Sequence, residues 1–163
     1  MPPPTVDRKL VVSILDRLVD ADPGRRSGES PDPPATVAAV RASVKRDLEW
    51  LLNCKRSPID LPEDLRHLQV SSLTYGLPDF TASSLNDQSH RDQLRRAIEQ
   101  AIARFEPRLT RVRVSLVREP GVDRNLRFKI DAMLRADPAP VAVTFDSTLE
   151  LATRSFVVGE DTL

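Results

Sequence analysis

Leu94-Arg95-Arg96-Ala97-Ile98-Glu99-Gln100-Ala101-Ile102-Ala103-Arg104-Phe105-Glu106-Pro107-Arg108-Leu109-Thr110-Arg111-Val112-Arg113-Val114-Ser115-Leu116 changes its hydrophobic period in the middle. Up to Phe105 the apolar residues Leu94, Ala97, Ile98, Ala101, Ile102 and Phe105 fall at i, i+3, i+4, i+7, i+8 and i+11, which is one face of a helix. From Thr110 the period is two, with Val112, Val114 and Leu116 on one side and Arg111, Arg113 and Ser115 on the other. Pro107 marks the switch, because it has no N–H and disfavours helix at the residue before it. A helix from near Asp87 to Phe105 therefore feeds a strand over Thr110 to Arg118.

Downstream the alternation continues. Asn125 to Ala136 places Leu126, Phe128, Ile130, Ala132 and Leu134 inward and Arg127, Lys129, Asp131 and Arg135 outward, and Val141 to Leu151 repeats the pattern through Val141, Val143, Phe145, Leu149 and Leu151. The links Glu119 to Arg124 and Asp137 to Pro140 are short enough for an antiparallel meander. After it, Arg154 to Leu163 carries Phe156-Val157-Val158, readable as a fourth strand or a disordered tail, or as part of a sheet edge open to strand addition by another subunit.

Upstream, Thr36 is a suitable N-cap for a helix whose apolar face is Val37, Val40, Val44, Leu48, Leu51 and Leu52, closed by Asn53 and Ser57-Pro58. Between the two helices the chain is turn-rich and acidic; Val70, Leu73 and Leu77 suggest one short helix, with Gly76 placed for a left-handed cap and Pro78 preventing continuation. Seven of the 14 prolines precede residue 35. In that first segment Val6, Leu10, Ile14, Leu15 and Leu18 have helical spacing, and Asp22 to Pro34 reads as a linker. Such a short helix either folds back on its own domain or docks on a partner.

These elements predict an α+β fold, with two main helices packed on one face of a small antiparallel sheet and an N-terminal helix on a proline-rich linker. The expected division is 1–35 for that helix and linker, 36–153 for the domain, and 154–163 for a C-terminal strand or tail.

Composition narrows the function classes. The 163 residues suit one domain able to bury a core without a metal or disulfide. Lys+Arg and Asp+Glu balance at 24 each, which argues against a polyanion-binding protein as a whole, and no apolar run approaches the roughly 18 to 20 residues needed to span a bilayer. The single Cys54 has no partner within the chain and the apolar run Leu10 to Leu15 ends in Asp16-Arg17 instead of a cleavage site, so the expected compartment is the cytoplasm.

Signatures of phosphate loops, dinucleotide folds, nucleophile elbows and zinc peptidases are all missing. His67 and His90 read as solvated loop histidines, Cys54 as an inert half-buried thiol, and Trp50 as a partly buried residue at the margin of the helix stripe. No catalytic, cofactor or metal residue is expected. The segment that resists such readings is Glu106-Pro107-Arg108. Glu106 sits in the last helical turn, where the helix dipole disfavours a negative charge, so a guanidinium from the chain or from a partner should clamp it. From residue 91 to 118 there are eight Arg against three acids, a basic surface that is either solvated or partner-binding. Glu106, Pro107, Arg108, Arg111 and Arg113 are the candidate partner-binding residues.

Four separated segments carry a resemblance: Leu15-Asp16-Arg17-Leu18, Ser43 to Asn53, Ser72 to Asp79 and Phe105-Glu106-Pro107-Arg108-Leu109. In this order and spacing the chain, over about residues 10 to 120, resembles the TssE family, the baseplate wedge subunits of bacterial type VI secretion systems, related to a wedge protein of contractile phage tails. The resemblance implies structural work beside TssF and TssG, contact with the first ring of the TssB/TssC contractile sheath, TssK as a further candidate partner, and a place in the baseplate at the cytoplasmic face of the inner membrane. It implies neither nucleic-acid binding nor insertion into the membrane. The family's EPR motif, associated with contacts to the wedge core, falls on Glu106, Pro107 and Arg108. Relatives are labelled lysozyme-like, which leaves a peptidoglycan glycosidase as the competing function, although no defensible carboxylate pair is present in the sequence. A nucleic-acid binder using the basic helix is a third reading.

Overall fold

The structure, a computed structural model, describes residues 9–10, 13, 16, 36–59, 61–62, 64–80, 87–117, 125–150 and 152–160. Helix α1 spans Val37–Asn53 and helix α2 spans Gln88–Phe105. Strands β2 (Leu109–Val117), β3 (Leu126–Leu134), β5 (Val141–Glu150) and β6 (Ser155–Glu160) form one antiparallel sheet in the order β2-β3-β5-β6. Two-residue strands β1 (Lys9–Leu10) and β4 (Ala136–Asp137) pair separately. The chain is α+β.

Both helices begin where side chains can accept their free N–H groups. Thr36 accepts from Ala39 N at 3.1 Å, and Asp87 accepts from Ser89 N at 3.2 Å. Along α1, Val40, Val44, Leu48, Leu51 and Leu52 are buried; along α2, Leu94, Ile98, Ala101 and Ile102 are. They share one core with Val114 of β2, Phe128, Ile130, Ala132 and Leu134 of β3, Val143, Phe145 and Leu149 of β5, and Phe156 and Val158 of β6. The segment expected to be a strand or a tail is therefore the fourth strand, and its alternate apolar residues complete the buried face. Leu151 and the 118–124 connection lie outside the described residues.

Strand β2 departs from simple alternation. Leu109 and Val114, five positions apart, are both buried and pair with Leu134 and Ile130, which are four apart. One extra residue in β2 reconciles the two, and the register shifts between Thr110 and Arg113. Arg111 absorbs the irregularity with φ 54, a conformation a non-glycine residue rarely takes.

Three other expectations are corrected. Val70 and Leu73 do not line a helix: two 3-10 turns, Leu68–Val70 and Ser72–Thr74, leave them 60% and 43% exposed. Only Leu77 of that trio reaches the core, held by a bridge in which its N–H donates to the Cys54 carbonyl at 2.9 Å. Gly76 turns the chain into that bridge at φ +101, so close to Cys54 that an added Cβ would lie 2.3 Å from its carbonyl oxygen. Leu10, expected on an N-terminal helical stripe, is instead in β1 and packs against the core, because its strand pairs with β4. Most of that predicted helix, and the proline-rich linker, lie outside the described residues. Cys54 is exposed rather than half-buried, since the chain leaves α1 there as extended backbone.

Candidate functional site

Glu106 ends α2. Its N–H donates to the Ile102 carbonyl at 2.9 Å, and its own carbonyl accepts from Leu109 N at 3.0 Å, closing a four-residue turn with Pro107 in the second position. Proline suits that position because its φ is already fixed near the value a turn requires. Pro107 is exposed, whereas Glu106 and Arg108 on either side are 4% and 5% exposed.

The turn folds the two charged side chains onto each other. Arg108 Nε donates to Glu106 Oε1 at 2.7 Å, Nη2 donates to Oε2, and the Arg108 backbone N–H adds a 3.2 Å bond to Oε1. This bidentate pairing answers the question raised by Glu106: the guanidinium that clamps it comes from the same chain. Arg108 then reaches α1, where Nη1 donates to Ser43 Oγ at 2.9 Å and Nη2 donates to Asp47. Its carbonyl accepts from Arg135 N at 2.8 Å, tying the turn to the end of β3.

A third element joins through Asp16. Its carboxylate accepts from Ser43 Oγ, from Arg46 Nη2 at 2.8 Å and from Ser13 Oγ at 2.8 Å, and it lies 3.8 Å from Arg108 Nη1. Arg46 also bonds Asp47 through Nε at 3.1 Å and Nη2 at 2.9 Å, and covers the Trp50 ring at 5.2 Å from its centroid. Trp50 is 52% exposed, so that stacking takes place at the surface.

Electrostatics follow from these bonds. Burial by itself would raise the Asp16 carboxyl, but the hydrogen bonds from Ser43, Arg46 and Ser13 outweigh it and hold the group at about 2, below its ordinary 3.8. Burial would lower Arg108, and the Glu106 and Asp47 carboxylates outweigh it, so the guanidinium is held more firmly protonated than usual. The Asp16 carboxylate in turn raises Arg46. The cluster is an ion-paired, hydrogen-bonded brace.

Of the five residues singled out in the sequence, Glu106 and Arg108 are inside this brace, while Pro107, Arg111 and Arg113 are exposed beside it. The bulge in β2 brings Arg111 and Arg113 to the surface two residues apart. Ser43, Arg46, Asp47 and Asp16 were not picked out. Ser43 and Asp47 are four apart on α1, beside the stripe of Val40, Val44 and Leu48, and polar residues at that spacing next to a core face were the available signal.

Both outer strands of the sheet are held by a helix side chain. Glu99 Oε1 of α2 accepts from Val114 N of β2 at 2.9 Å. At the other edge, the Asn53 side chain at the end of α1 donates to the Phe156 carbonyl at 2.9 Å and accepts from Phe156 N at 2.8 Å. His90 lies in the first turn of α2, 3.8 Å from Asp87, rather than in a loop, and His67 is exposed. Among the described residues no group of three or more His, Cys, Asp and Glu is placed to hold a metal ion, and no helix is long and apolar enough to cross a membrane.

A family model described as baseplate wedge protein gp25 matches residues 38–139, from the first turn of α1 to the connection before β5. No curated protein and no solved structure matches the chain.

Proposed function

This chain belongs to the baseplate wedge protein gp25 family, and from that premise we propose that it is a structural wedge subunit of the TssE kind in a type VI secretion baseplate. The observation that carries this reading is the buried Glu106–Arg108 pair, which makes the exposed Pro107 corner a stiff feature of the surface. A corner braced to α1 and β3 suits a part whose work is to be gripped, because little side-chain entropy is left to lose on binding.

In this reading the wedge core, TssF and TssG, takes hold at Pro107, the exposed member of the Glu106-Pro107-Arg108 corner. The inner pair sets the position of Pro107, and Arg111 and Arg113 meet acidic groups of the partner. Extended segments of the TssB/TssC sheath add to the β6 edge. Asn53 already occupies the outward backbone groups of Phe156, so pairing starts at Val158, whose backbone points the same way by the alternation of an antiparallel strand. TssK is a further partner of the assembled wedge. The subunit breaks no covalent bond, and it works in the cytoplasm, against the inner-membrane face, as part of the baseplate.

The test is co-purification of the tagged chain with TssF and TssG. Arg111→Glu with Arg113→Glu should cut capture at least tenfold while the thermal transition stays in place, because both side chains are exposed. Wild-type capture by that double variant would remove Arg111 and Arg113 from the contact. No capture of TssF or TssG by the unaltered chain would sink the reading itself.

A further inference from the structure

β2 is an outer strand of the sheet, and its free side presents two different lengths of backbone. Around Arg111 the extra residue and the left-handed φ of 54 break the register with β3, and a strand kinked in this way offers no regular ladder to a newcomer. From Arg113 to Val117 the register is regular. Val114 N donates to Glu99 and not to β3, so the backbone of Val114 faces outward, and by the alternation of an antiparallel strand that of Leu116 does too. Val112, Val114, Leu116 and Val117 are good strand formers, and Val117 is 39% exposed.

A second copy of the chain can meet this stretch about a two-fold axis at Ser115. Val114 of each copy then stands opposite Leu116 of the other and exchanges both backbone bonds with it, Ser115 faces Ser115, and Arg113 faces Val117, so no two arginines are opposed. Glu99 stands in the way. Its Oε1 accepts from Val114 N at 2.9 Å, in the place the incoming Leu116 carbonyl has to take, and it brings a carboxylate against the strand. Helix α2 gains little from this acid for its own sake. Arg95 Nη1 donates to Glu99 Oε2 at 3.0 Å, but a base four residues before the acid is the weaker order of such a pair.

We infer that Glu99 closes the β2 edge against a second copy of the chain, while the bulge at Arg111 closes the remainder, and that the two together keep the sheet at four strands. The inference concerns the opposite edge to the one assigned above to the sheath, and its test involves no other baseplate protein, so either reading can fail without the other.

Sedimentation velocity on the full chain and its variants is the test. Glu99→Ala should shift from monomer to dimer as its concentration rises. Glu99→Gln, whose amide oxygen still accepts from Val114 N, should show no such shift over the same range and should sediment as the unaltered chain does. Adding Ser115→Lys to Glu99→Ala sets two cations face to face across the axis and should return the dimer to monomer. A Glu99→Ala chain that stays monomeric would make the bond a support of the strand and nothing more. A dimer that survives Ser115→Lys would have formed through another surface, and an equal dimer of Glu99→Gln would show that acceptance of the Val114 N–H is not what guards the edge. Each of these three results overturns the inference. If Glu99→Ala fails to fold, Glu99→Asp, which keeps the charge but is one methylene too short to reach Val114, takes its place.

Discussion

Arg108 grips Glu106 across a single proline, with Nε on Oε1 at 2.7 Å and Nη2 on Oε2, and both side chains are all but inaccessible to solvent. A buried pair of this kind is a weak source of net stability, yet breaking it is expensive because one charge is left without its partner. Arg108→Ala should therefore destabilise the domain by about 3–5 kcal/mol in urea unfolding. The cycle completed with Glu106→Gln should show a coupling of about 1–3 kcal/mol. A loss below about 1 kcal/mol for Arg108→Ala would mean that the pair does not brace the turn.

Asp16 makes docking of the N-terminal segment sensitive to acid. Its folded value is about 2 against an ordinary 3.8, so its contribution is complete above about pH 4 and is lost as the pH falls through about 2. Arg46 and Arg108 stay charged throughout, and Asp47 and Glu106, which face the same cluster, are present in both proteins to be compared. The stability difference between the unaltered chain and Asp16→Ala should shrink by on the order of 1–2 kcal/mol between pH 5 and pH 2. A difference independent of pH would show that the carboxylate charge is not what Ser43 and Arg46 hold.

Asn53 is the link between α1 and the sheet edge. Asn53→Ala removes both bonds to Phe156 and leaves its backbone N–H and carbonyl to find other partners, at a cost of about 1–3 kcal/mol. The Phe156 amide should exchange markedly faster, and the variant should self-associate more readily through the uncovered edge. Protection at Phe156 equal to that of the unaltered chain would contradict this role.

Ser147 occupies an inward position of β5 between Phe145 and Leu149, 1% exposed, and its hydroxyl has no hydrogen-bond partner among the described residues. A buried hydroxyl left unbonded is a cost, so Ser147→Ala should be neutral or stabilising by about 1 kcal/mol, a rise in Tm of about 2–4 °C. A clear fall in Tm would imply that the hydroxyl is bonded in solution.

Much of the architecture was legible in hydrophobic period. Both helices and the three strands that follow α2 appear within a residue or two of their expected limits, because each buries a face whose spacing matches its own geometry. The misreadings share a cause. Val70 and Leu73 have helical spacing, but the segment around them is tied down by the Lys55–Leu77 bridge and the Gly76 turn, which no local pattern encodes. The extra residue in β2 was likewise invisible in the tidy alternation of Val112, Val114 and Leu116, since only pairing with Leu134 and Ile130 reveals that Leu109 must also face inward.

The sequence by itself determined that this chain is an α+β domain, that a proline stops α2, and that the Glu106–Arg108 corner carries charges needing partners. Those are local properties: period, dihedral restriction and the sign of a helix end. Tertiary structure decided who the partners are. Glu106 meets Arg108 because a turn doubles back over Pro107, and Ser43, Asp47 and Asp16 meet Arg108 because α1 and the N-terminal segment pack against that turn from 61 or more residues away. Hydrogen bonds act over about 3 Å, so a charge's neighbours in space are set by the packing of the whole chain.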